Sequence, residues 1–160
     1  MKFSIIIPAY NTEKTIKQAM MSVLNQSLSD IELIVIDDAS QDSTWDIIQS
    51  IAKSDKRIIS LRNEKNLNSG LTRNRGIQHA SGEWIAILDA DDWFSPERLQ
   101  FFMESISEHD YDILGDNLIL VDGKTNRNIG LMYAINDKMY ENIITPEYFF
   151  QRNLPAEPGW

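Results

Sequence analysis

Apolar and amphipathic segments alternate along the first ninety residues. Four short, almost continuously apolar segments predict buried strands over residues 3–7, 32–36, 57–61 and 84–88. Between them, apolar residues recur at helical spacing, which predicts helices over about 12–25 and 69–80 and another that begins near Asp42 or Ser43. Strands that alternate with helices favour an α/β fold with three layers, in which helices cover both faces of a mainly parallel sheet.

Capping residues locate the ends of these helices. Asn11 or Thr12 can cap the first helix, and Ser81-Gly82 is expected to end the third. Ser95-Pro96-Glu97 supplies a cap, a proline and an acid in the order that opens a helix. Its apolar stripe is Leu99, Phe102, Met103 and Ile106.

The pattern changes after residue 95. A strand is predicted over Tyr111 to Val121, followed by a turn at Asp122-Gly123 and a weaker strand near Ile129 to Ala134, as in an antiparallel hairpin at a sheet edge. The last residues, 154–160, have turn chemistry but no finishing element. We therefore expect residues 1–160 to form one domain that is truncated at its C-terminus, with a ligand-binding half over about 1–95 and the start of a second half over about 96–160.

Composition narrows the possible functions. The chain has 160 residues, no cysteine and a formal net charge of −9. The charge argues against general binding to nucleic acid, and the missing cysteines exclude disulfides and thiolate zinc sites. No apolar run reaches the roughly 20 residues of a membrane span. A cytoplasmic protein, peripheral at most to the inner face of a membrane, is the expectation.

The densest chemical signal is Asp89-Ala90-Asp91-Asp92, directly after the fourth predicted strand. Ligands of open parallel sheets bind beyond the carboxyl ends of the strands. In extended chain Asp89 and Asp91 would point to the same side, where their charges repel. Mg²⁺ or Mn²⁺ would relieve the repulsion, since these ions take oxygen ligands and share carboxylates with substrate phosphates. The alternative is a solvated turn, although Ser95 already offers the next helix a cap.

Two further segments end strands at the same edge. Asp37-Asp38 follows the second predicted strand, and a carboxylate there can accept a hydrogen bond from a base N–H or a ribose hydroxyl. Pro8-Ala9-Tyr10-Asn11 ends the first strand, where the tyrosine can stack on a base. Ordinary surface turns are the alternative for both segments.

A basic and polar region follows the third predicted strand. Its cations are Arg62, Lys65, Arg73 and Arg75. Arg73 and Arg75 cannot face the same way on a helix, so one can reach a phosphate while the other is solvated. Asn66, Asn68, Ser69 and Gly70 form a polar loop at a helix N-terminus, a natural place for an anion. The two histidines, His79 and His109, are isolated and indicate neither a metal site nor a catalytic triad.

Taken together, these segments resemble glycosyltransferase family 2, whose members share the GT-A fold. The matching stretches are 4–11, 36–44, 66–77 and 82–92. The resemblance implies that Pro8, Ala9, Tyr10, Asn11, Asp38 and Arg73 bind the nucleotide, with Asp38 on the base, most typically uracil. It also implies that Asp89-Ala90-Asp91 is the family's Asp-X-Asp motif, with Asp89 near ribose or metal and Asp91 ligating Mn²⁺ or Mg²⁺.

One position departs from the family pattern. The family often has glycine two residues after the asparagine that corresponds to Asn66, whereas this chain has Asn68 there and Gly70 beyond it. Asparagine tolerates left-handed backbone better than most residues, so the loop is expected to survive the change.

The resemblance implies transfer of a sugar from a nucleotide-diphosphate sugar to a saccharide or lipid-linked acceptor, with inversion, in cell-surface polysaccharide synthesis. The metal would stabilise the departing diphosphate and an acid would deprotonate the acceptor hydroxyl. No acid here lies in matching context. Asp112, Asp116 and Glu157 are nearby candidates, and we expect the base beyond Trp160.

Three other functions remain open from sequence. A sugar-nucleotide-forming nucleotidyltransferase should have a glycine-rich loop after its first strand, and Pro8-Ala9-Tyr10-Asn11 has none. A phosphotransfer or receiver domain would need a partner lysine after a late strand. A non-catalytic nucleotide-binding domain would keep the fold without the base.

Overall fold

The computed structural model describes residues 2–108, 112–116, 118–122, 124–125 and 127–131. Their chain order alternates strands and helices until the last two strands. The elements are β1 (Phe3–Ala9), α1 (Ile16–Leu24), β2 (Ile31–Asp37), α2 (Thr44–Ala52), β3 (Ile58–Arg62), α3 (Asn68–His79), β4 (Trp84–Ile87), α4 (Arg98–Glu108), β5 (Ile119–Val121) and β6 (Asn128–Leu131). The first four predicted strands are confirmed, with ends that differ by one residue or two.

The first four strands form one parallel sheet in the order β3-β2-β1-β4. The chain therefore runs outward from β1 through β2 to β3 and then returns to the other side of β1. Such a reversal of strand order opens a crevice at the carboxyl ends of the strands, where ligands of α/β sheets bind. The predicted α/β class is confirmed.

Helices lie on both faces of this sheet. α1 and α2 pack against each other and against β1, β2 and β3, whereas α3 packs on β1 and β2. Right-handed crossovers place α3 on the face opposite α1 and α2, because β4 lies on the other side of β1. Alternate residues of β1 and β2 serve the two faces, so both strands are buried almost throughout.

The first helix differs from its prediction. The sequence predicts a start near Thr12 with Asn11 or Thr12 as the cap, but α1 begins at Ile16 and its N-cap residue, Thr15, makes no capping hydrogen bond through its side chain. Residues 13–15 form a turn instead, closed by Ile16 N–H on the carbonyl of Thr12 at 2.9 Å. The loop between β1 and α1 is longer than expected because its polar groups bond to the neighbouring loop rather than to the helix.

The fourth helix is capped by a residue distant in sequence. α4 begins at Arg98, and the Oε1 of the buried Gln26 accepts the N–H of Leu99 at 3.0 Å. The Nε2 of Gln26 donates to the carbonyl of Ser95 at 2.6 Å. The prediction that Ser95 caps the helix and Pro96 opens it is wrong, because Gln26 ties this segment to the end of α1.

The chain divides into two compact units, residues 1–112 and 113–160. In the second unit β5 and β6 form an antiparallel pair that is a two-stranded sheet of its own. The predicted strand over Tyr111 to Val121 is much shorter, since β5 covers only Ile119–Val121. Residues 132–134 of the predicted second strand lie outside the described residues. Among the helices of the described ranges, none is long and apolar enough to cross a membrane.

The helix α3 packs tightly on the sheet at Gly76. A Cβ built on Gly76 would lie 2.5 Å from Cγ2 of Ile6 and 2.9 Å from Cδ1 of Ile36. Both isoleucines are fully buried and belong to the apolar cluster between α3 and the sheet. A side chain at position 76 would therefore force these isoleucines or the helix to shift, and glycine allows the close packing that is seen.

We expect Gly76→Ala to lower the free energy of unfolding by about 1–3 kcal/mol, the usual range for an overpacked core. The matched control is Gly70→Ala in the same helix, where an added Cβ meets no atom within 4 Å. That change should be neutral or stabilising by up to about 1 kcal/mol through helix propensity. Urea unfolding followed by circular dichroism measures both, and equal stabilities for the two variants would contradict this packing.

The opposite edge of the sheet, at the amino ends of the strands, contains a buried carboxylate. Glu32 accepts hydrogen bonds from Lys2 Nζ at 2.7 Å, Ser4 Oγ at 2.5 Å and the backbone N–H of Ser81 at 2.6 Å. Burial alone would raise the pKa of Glu32, but these hydrogen bonds outweigh it and lower the pKa to about 2. The network fixes the connection between α3 and β4, and with it the position of β4 beside β1.

Because the folded-state pKa of Glu32 lies below the ordinary value of 4.5, its contribution to stability is complete above that value and is lost as pH falls toward 2. We expect this contribution to be on the order of 3 kcal/mol. Glu32→Gln should therefore be less stable at neutral pH and lose less stability than the parent between about pH 5 and pH 2. Unfolding measured across that range checks this, with the exposed Glu83→Gln as a control that should track the parent.

Candidate functional site

Three strand ends bring the candidate residues to one edge of the parallel sheet. Ala9 at the end of β1 pairs with Asp37 at the end of β2. On the other side of β1, Leu88 N–H donates to the carbonyl of Ile6 at 3.0 Å, which brings Asp89 level with Pro8. The predicted convergence of these segments at the carboxyl edge is therefore confirmed.

A cleft of about 290 Å³ opens at this edge between β1, β2 and the start of α3. It is lined by Pro8, Ala9, Tyr10, Asp38, Asn66, Asn68, Ser69 and Thr72. Tyr10 is half exposed, whereas the side chains of Asp38 and Thr72 are buried. The cleft thus combines an accessible aromatic ring with a buried carboxylate, an arrangement suited to a flat ring that carries N–H donors.

The carboxylate of Asp38 is held on one side only. Its Oδ1 accepts hydrogen bonds from Asn63 Nδ2 at 2.6 Å and from the backbone N–H of Leu67 at 2.8 Å. Within the described part of the chain, no hydrogen bond ends on Oδ2. Asp38 therefore keeps one fixed oxygen and one oxygen available to a ligand in the cleft.

The loops that follow β1 and β2 are bonded to each other. Asn11 N–H donates to Ser40 Oγ at 3.0 Å, and Asn11 Oδ1 accepts the N–H of Gln41 at 2.8 Å. Asn11 and Ala39 both have positive φ angles, 51° and 61°, which residues other than glycine adopt rarely. The side chain of Asn11 is thus engaged with the second loop and does not line the cleft.

The acidic segment after β4 is a turn rather than extended chain. Asp92 N–H donates to the carbonyl of Asp89 at 3.0 Å, and Ala90 at the centre of the turn is buried. The expectation that Asp89 and Asp91 project to one side of an extended backbone is wrong, because the chain reverses directly after Leu88. All three aspartates of the segment are exposed.

The charges of this turn are only partly neutralised. Arg73 of α3 forms an ion pair with Asp89 at 2.5 Å. Desolvation of Asp92, together with the negative charges of Asp91 and Asp89, raises the pKa of Asp92, and Arg98 opposes the rise. Negative charge therefore accumulates at Asp91 and Asp92 with no ion pair to either among the described residues.

The donor atoms of the turn fit a shared cation rather than a closed metal site. In the described ranges, no group of three or more histidine, cysteine or acidic side chains could hold an ion by itself. Mg²⁺ and Mn²⁺ commonly use one or two carboxylates and complete their shells with water and substrate phosphates. Asp91 and Asp89 supply two exposed carboxylates of that type.

Two of the four residues in the basic cluster are bonded within the fold. Arg62 pairs with the buried Asp37 at 2.9 Å and stacks over the ring of Trp45. Arg75 donates to the carbonyl of Arg62 at 2.7 Å and to the side-chain oxygen of Asn63. Neither guanidinium is free to receive a phosphate, so Arg73 is the arginine of this group closest to the acidic turn. Lys65 is exposed.

Two residues of the site are not singled out by the sequence pattern. Thr72 lines the cleft from α3, and Asn63 bonds to Asp38 from the end of β3. The available signal for Asn63 is its position directly after a strand at the edge that also carries Asp37 and Asp38. Thr72 gives no such signal, because a threonine in a polar helix is ordinary.

The remaining candidates lie away from the cleft or outside the description. His79 is exposed at the end of α3, and its Nδ1 lies 2.8 Å from the carbonyl oxygen of Arg75. Asp112 is exposed in a bend at the end of the first unit, and Asp116 belongs to the second unit. His109 and Glu157 lie outside the described residues.

Comparison with known proteins gives a consistent result. A sequence model of Glycosyl transferase family 2 matches residues 4–154. The chain is 34% identical to the uncharacterized glycosyltransferase MJ1057 of Methanocaldococcus jannaschii, over 98% of this chain and 53% of that protein. It is 35% identical to the putative teichuronic acid biosynthesis glycosyltransferase TuaG of Bacillus subtilis, over 75% of this chain and 48% of that protein. The chain spans about half the length of these curated relatives.

A solved structure shares the fold. TarS from S. aureus, determined in complex with UDP, superposes with a TM-score of 0.68 and 32% sequence identity, over 81% of this chain and 38% of that one. The same protein has also been determined in complex with UDP-GlcNAc. The predicted GT-A fold is confirmed by this likeness together with the family match.

The loop that departs from the family pattern adopts the expected backbone. Asn68 has a φ of 67°, which is left-handed, so asparagine accommodates the conformation that glycine would favour. Asn68→Gly should therefore leave the free energy of unfolding nearly unchanged, whereas Asn68→Ala should lower it by about 1 kcal/mol. Asn74→Ala, at an exposed position in the middle of α3, is the control and should be neutral or slightly stabilising through helix propensity. Urea titrations test this, and equal stability of the alanine and glycine variants at position 68 would contradict the strain.

Proposed function

The chain belongs to glycosyltransferase family 2, and from this we propose that it binds a nucleotide-diphosphate sugar, specifically a UDP-sugar, in the cleft at the carboxyl edge of its sheet. The observation that carries the proposal is the one-sided carboxylate of Asp38 beside the exposed ring of Tyr10. The UDP complexes of TarS support the choice of uridine. Membership of this family favours the proposal over a nucleotidyltransferase or a receiver domain.

In the proposed complex the base is bound by the loops after β1 and β2. The free oxygen of Asp38 accepts an N–H of the base, and the ring of Tyr10 stacks on it. Pro8 and Ala9 contribute the wall of the cleft, and Asn11 holds the two loops together through its bond to Gln41. Backbone and side chains that are fixed before binding lose little freedom on association, which favours affinity.

The diphosphate is placed toward α3 and the acidic turn. A divalent ion, Mn²⁺ or Mg²⁺, would be held by Asp91 and Asp89 and would supply positive charge to the departing diphosphate. Arg73 now pairs with Asp89 and lies within reach of the same region, so it can turn to a phosphate when the carboxylate takes a metal. The N-terminus of α3, with Asn68 and Ser69 at the cleft, adds backbone donors.

The transfer step is proposed for the whole protein. A hydroxyl of a saccharide or lipid-linked acceptor attacks the anomeric carbon with inversion, while a carboxylate removes its proton. We place that base beyond Trp160. Relatives named for teichuronic acid biosynthesis, succinoglycan biosynthesis and glucosyl transfer to an undecaprenol-linked glycan support a role in cell-surface polysaccharide synthesis. We propose that this role is carried out at the cytoplasmic side of the membrane.

Calorimetric titration of the chain with UDP tests donor binding. We expect UDP to bind more tightly with Mn²⁺ or Mg²⁺ than with a chelator, and Asp91→Asn to reduce this metal-dependent gain at least about ten-fold, because one carboxylate ligand is lost. Asp46→Asn removes the same charge from an exposed position on α2 and should behave as the parent.

Two results would contradict the proposal. UDP that fails to bind with any divalent ion would exclude the donor site, and UDP that binds equally well in the chelator would exclude the metal. If Asp91→Asn retained the full gain in UDP affinity from the metal, residues other than Asp91 would have to hold the ion.

A further inference from the structure

Asn63 lies at the junction between β3, Asp38 and α3. It is 4% exposed, and its side chain contacts three neighbours. Nδ2 donates to Asp38 Oδ1 at 2.6 Å and lies 3.1 Å from Thr72 Oγ1, while Oδ1 accepts from Nη1 of Arg75. Its backbone N–H donates to the carbonyl of Asp37 at 2.8 Å. Both its main chain and its amide are therefore bonded to the strand end that carries the candidate base-binding carboxylate.

The chemistry of these neighbours fixes the amide in one orientation. A guanidinium has only donors, and an ionised carboxylate has only acceptors. The amide oxygen must face Arg75 and the amide NH₂ must face Asp38. A rotated amide would place its NH₂ against the donors of Arg75 and its oxygen against the carboxylate of Asp38. Asparagine can bridge the two, whereas aspartate would oppose Asp38 with a second carboxylate and leucine would bond to neither.

The orientation of Asn63 determines which part of Asp38 meets a ligand. With Oδ1 occupied by Asn63 and Leu67, the carboxylate cannot rotate without breaking two hydrogen bonds. Since Asp38 lines the cleft, its other oxygen is presented as an acceptor. A carboxylate oxygen fixed as an acceptor favours a base with an N–H at that position and repels a base with a lone pair there.

We propose that Asn63 is a positioning residue for base selection: by holding the Asp38 carboxylate in one orientation, it makes the cleft prefer uracil, whose N3 carries a hydrogen, over cytosine, whose N3 is an acceptor. The proposal rests on the proposed donor site and adds the group that sets its selectivity. The two bases are nearly the same size, so their discrimination depends on this hydrogen bond rather than on the shape of the cleft.

The test compares UDP with CDP by calorimetry in the same buffer, since the ratio of their affinities cancels the contribution of the diphosphate. The parent is expected to prefer UDP by at least about ten-fold. In Asn63→Asp two carboxylates face each other and share a proton, so Asp38 becomes a donor in part of the molecules. The preference for UDP should fall at least about ten-fold.

The pH profile adds a readout that a loss of packing would not produce. In Asn63→Asp, the preference for UDP should differ between about pH 5.5 and pH 8, because the shared proton is lost over that range, while the parent ratio stays constant. The other charged groups near Asp38 are Asp37 of β2, Arg62 of β3, which pairs with Asp37, Arg75 of α3, which donates to Asn63, and Glu64 and Lys65 of the loop between Asn63 and Leu67. These groups are present in both the parent and Asn63→Asp, so a difference between the two pH profiles of UDP preference is due to the residue at position 63.

Asn74→Asp is the matched control, because it makes the same substitution at an exposed position of α3 and should keep the parent ratio. If Asn63→Asp fails to fold by circular dichroism, Asn63→Ser retains one donor without adding charge, and its preference for UDP should fall by at least about three-fold. A folded variant at position 63 that keeps the parent ratio at both pH values would overturn the proposal.

Results for the parent separate this proposal from the donor site. A parent that binds UDP and CDP equally would overturn the role of Asn63 and leave the nucleotide site standing. A parent that binds neither would overturn both, through the failure of the donor site itself.

Discussion

The carboxylates that end β2 and begin the turn after β4 repel one another, and they share an edge because β3 and α3 supply a partner for nearly every one. Arg62 pairs with Asp37, and Arg73 pairs with Asp89. Asp38 is reached by Arg75 through the amide of Asn63. Negative charge without an ion pair therefore remains at Asp91 and Asp92, within the described residues, where the pKa of Asp92 is raised. A divalent cation would add positive charge here, where among the described residues Arg98 only partly offsets the negative charge.

This arrangement explains which parts of the fold could be predicted from the sequence. Strands buried on both faces are apolar throughout, so β1, β2 and the alternation of elements follow from hydrophobic periodicity alone. The carboxyl edge follows too, because parallel strands end together. Helix starts are harder to predict, since α1 and α4 begin where distant loops or Gln26 take up the polar groups. Those partners depend on tertiary packing and leave no local pattern.

The same limit applies to the side chains of the site. The pattern of charges alone does not say which of Arg62, Arg73 and Arg75 is bonded inside the fold, although the family resemblance points to Arg73. Arg62 and Arg75 are bonded inside the fold, and Arg73 lies at the acidic turn. Backbone conformation was partly predictable: Asn68 adopts the left-handed φ expected of an asparagine in place of glycine. Ala39 also has a positive φ, which no propensity of alanine indicates. It is held by the bonds between the loops after β1 and β2, which exist only once the sheet has formed.

The two ends of the sheet contrast in a way that locates the functional end. At the amino end, both oxygens of Glu32 accept hydrogen bonds from Lys2, Ser4 and Ser81, so neither oxygen is left to bind a ligand. At the carboxyl end, Asp38 is bonded on one oxygen only. A buried acid that serves stability gains when both of its oxygens accept hydrogen bonds from the protein. An acid that binds a ligand must keep one oxygen free to accept a hydrogen bond and must still be held in place before the ligand arrives. Asn63 meets both requirements, because it restrains Oδ1 and leaves Oδ2 to the cleft. The incomplete satisfaction of Asp38, rather than its burial or its charge, is therefore the structural reason to place the ligand beside it.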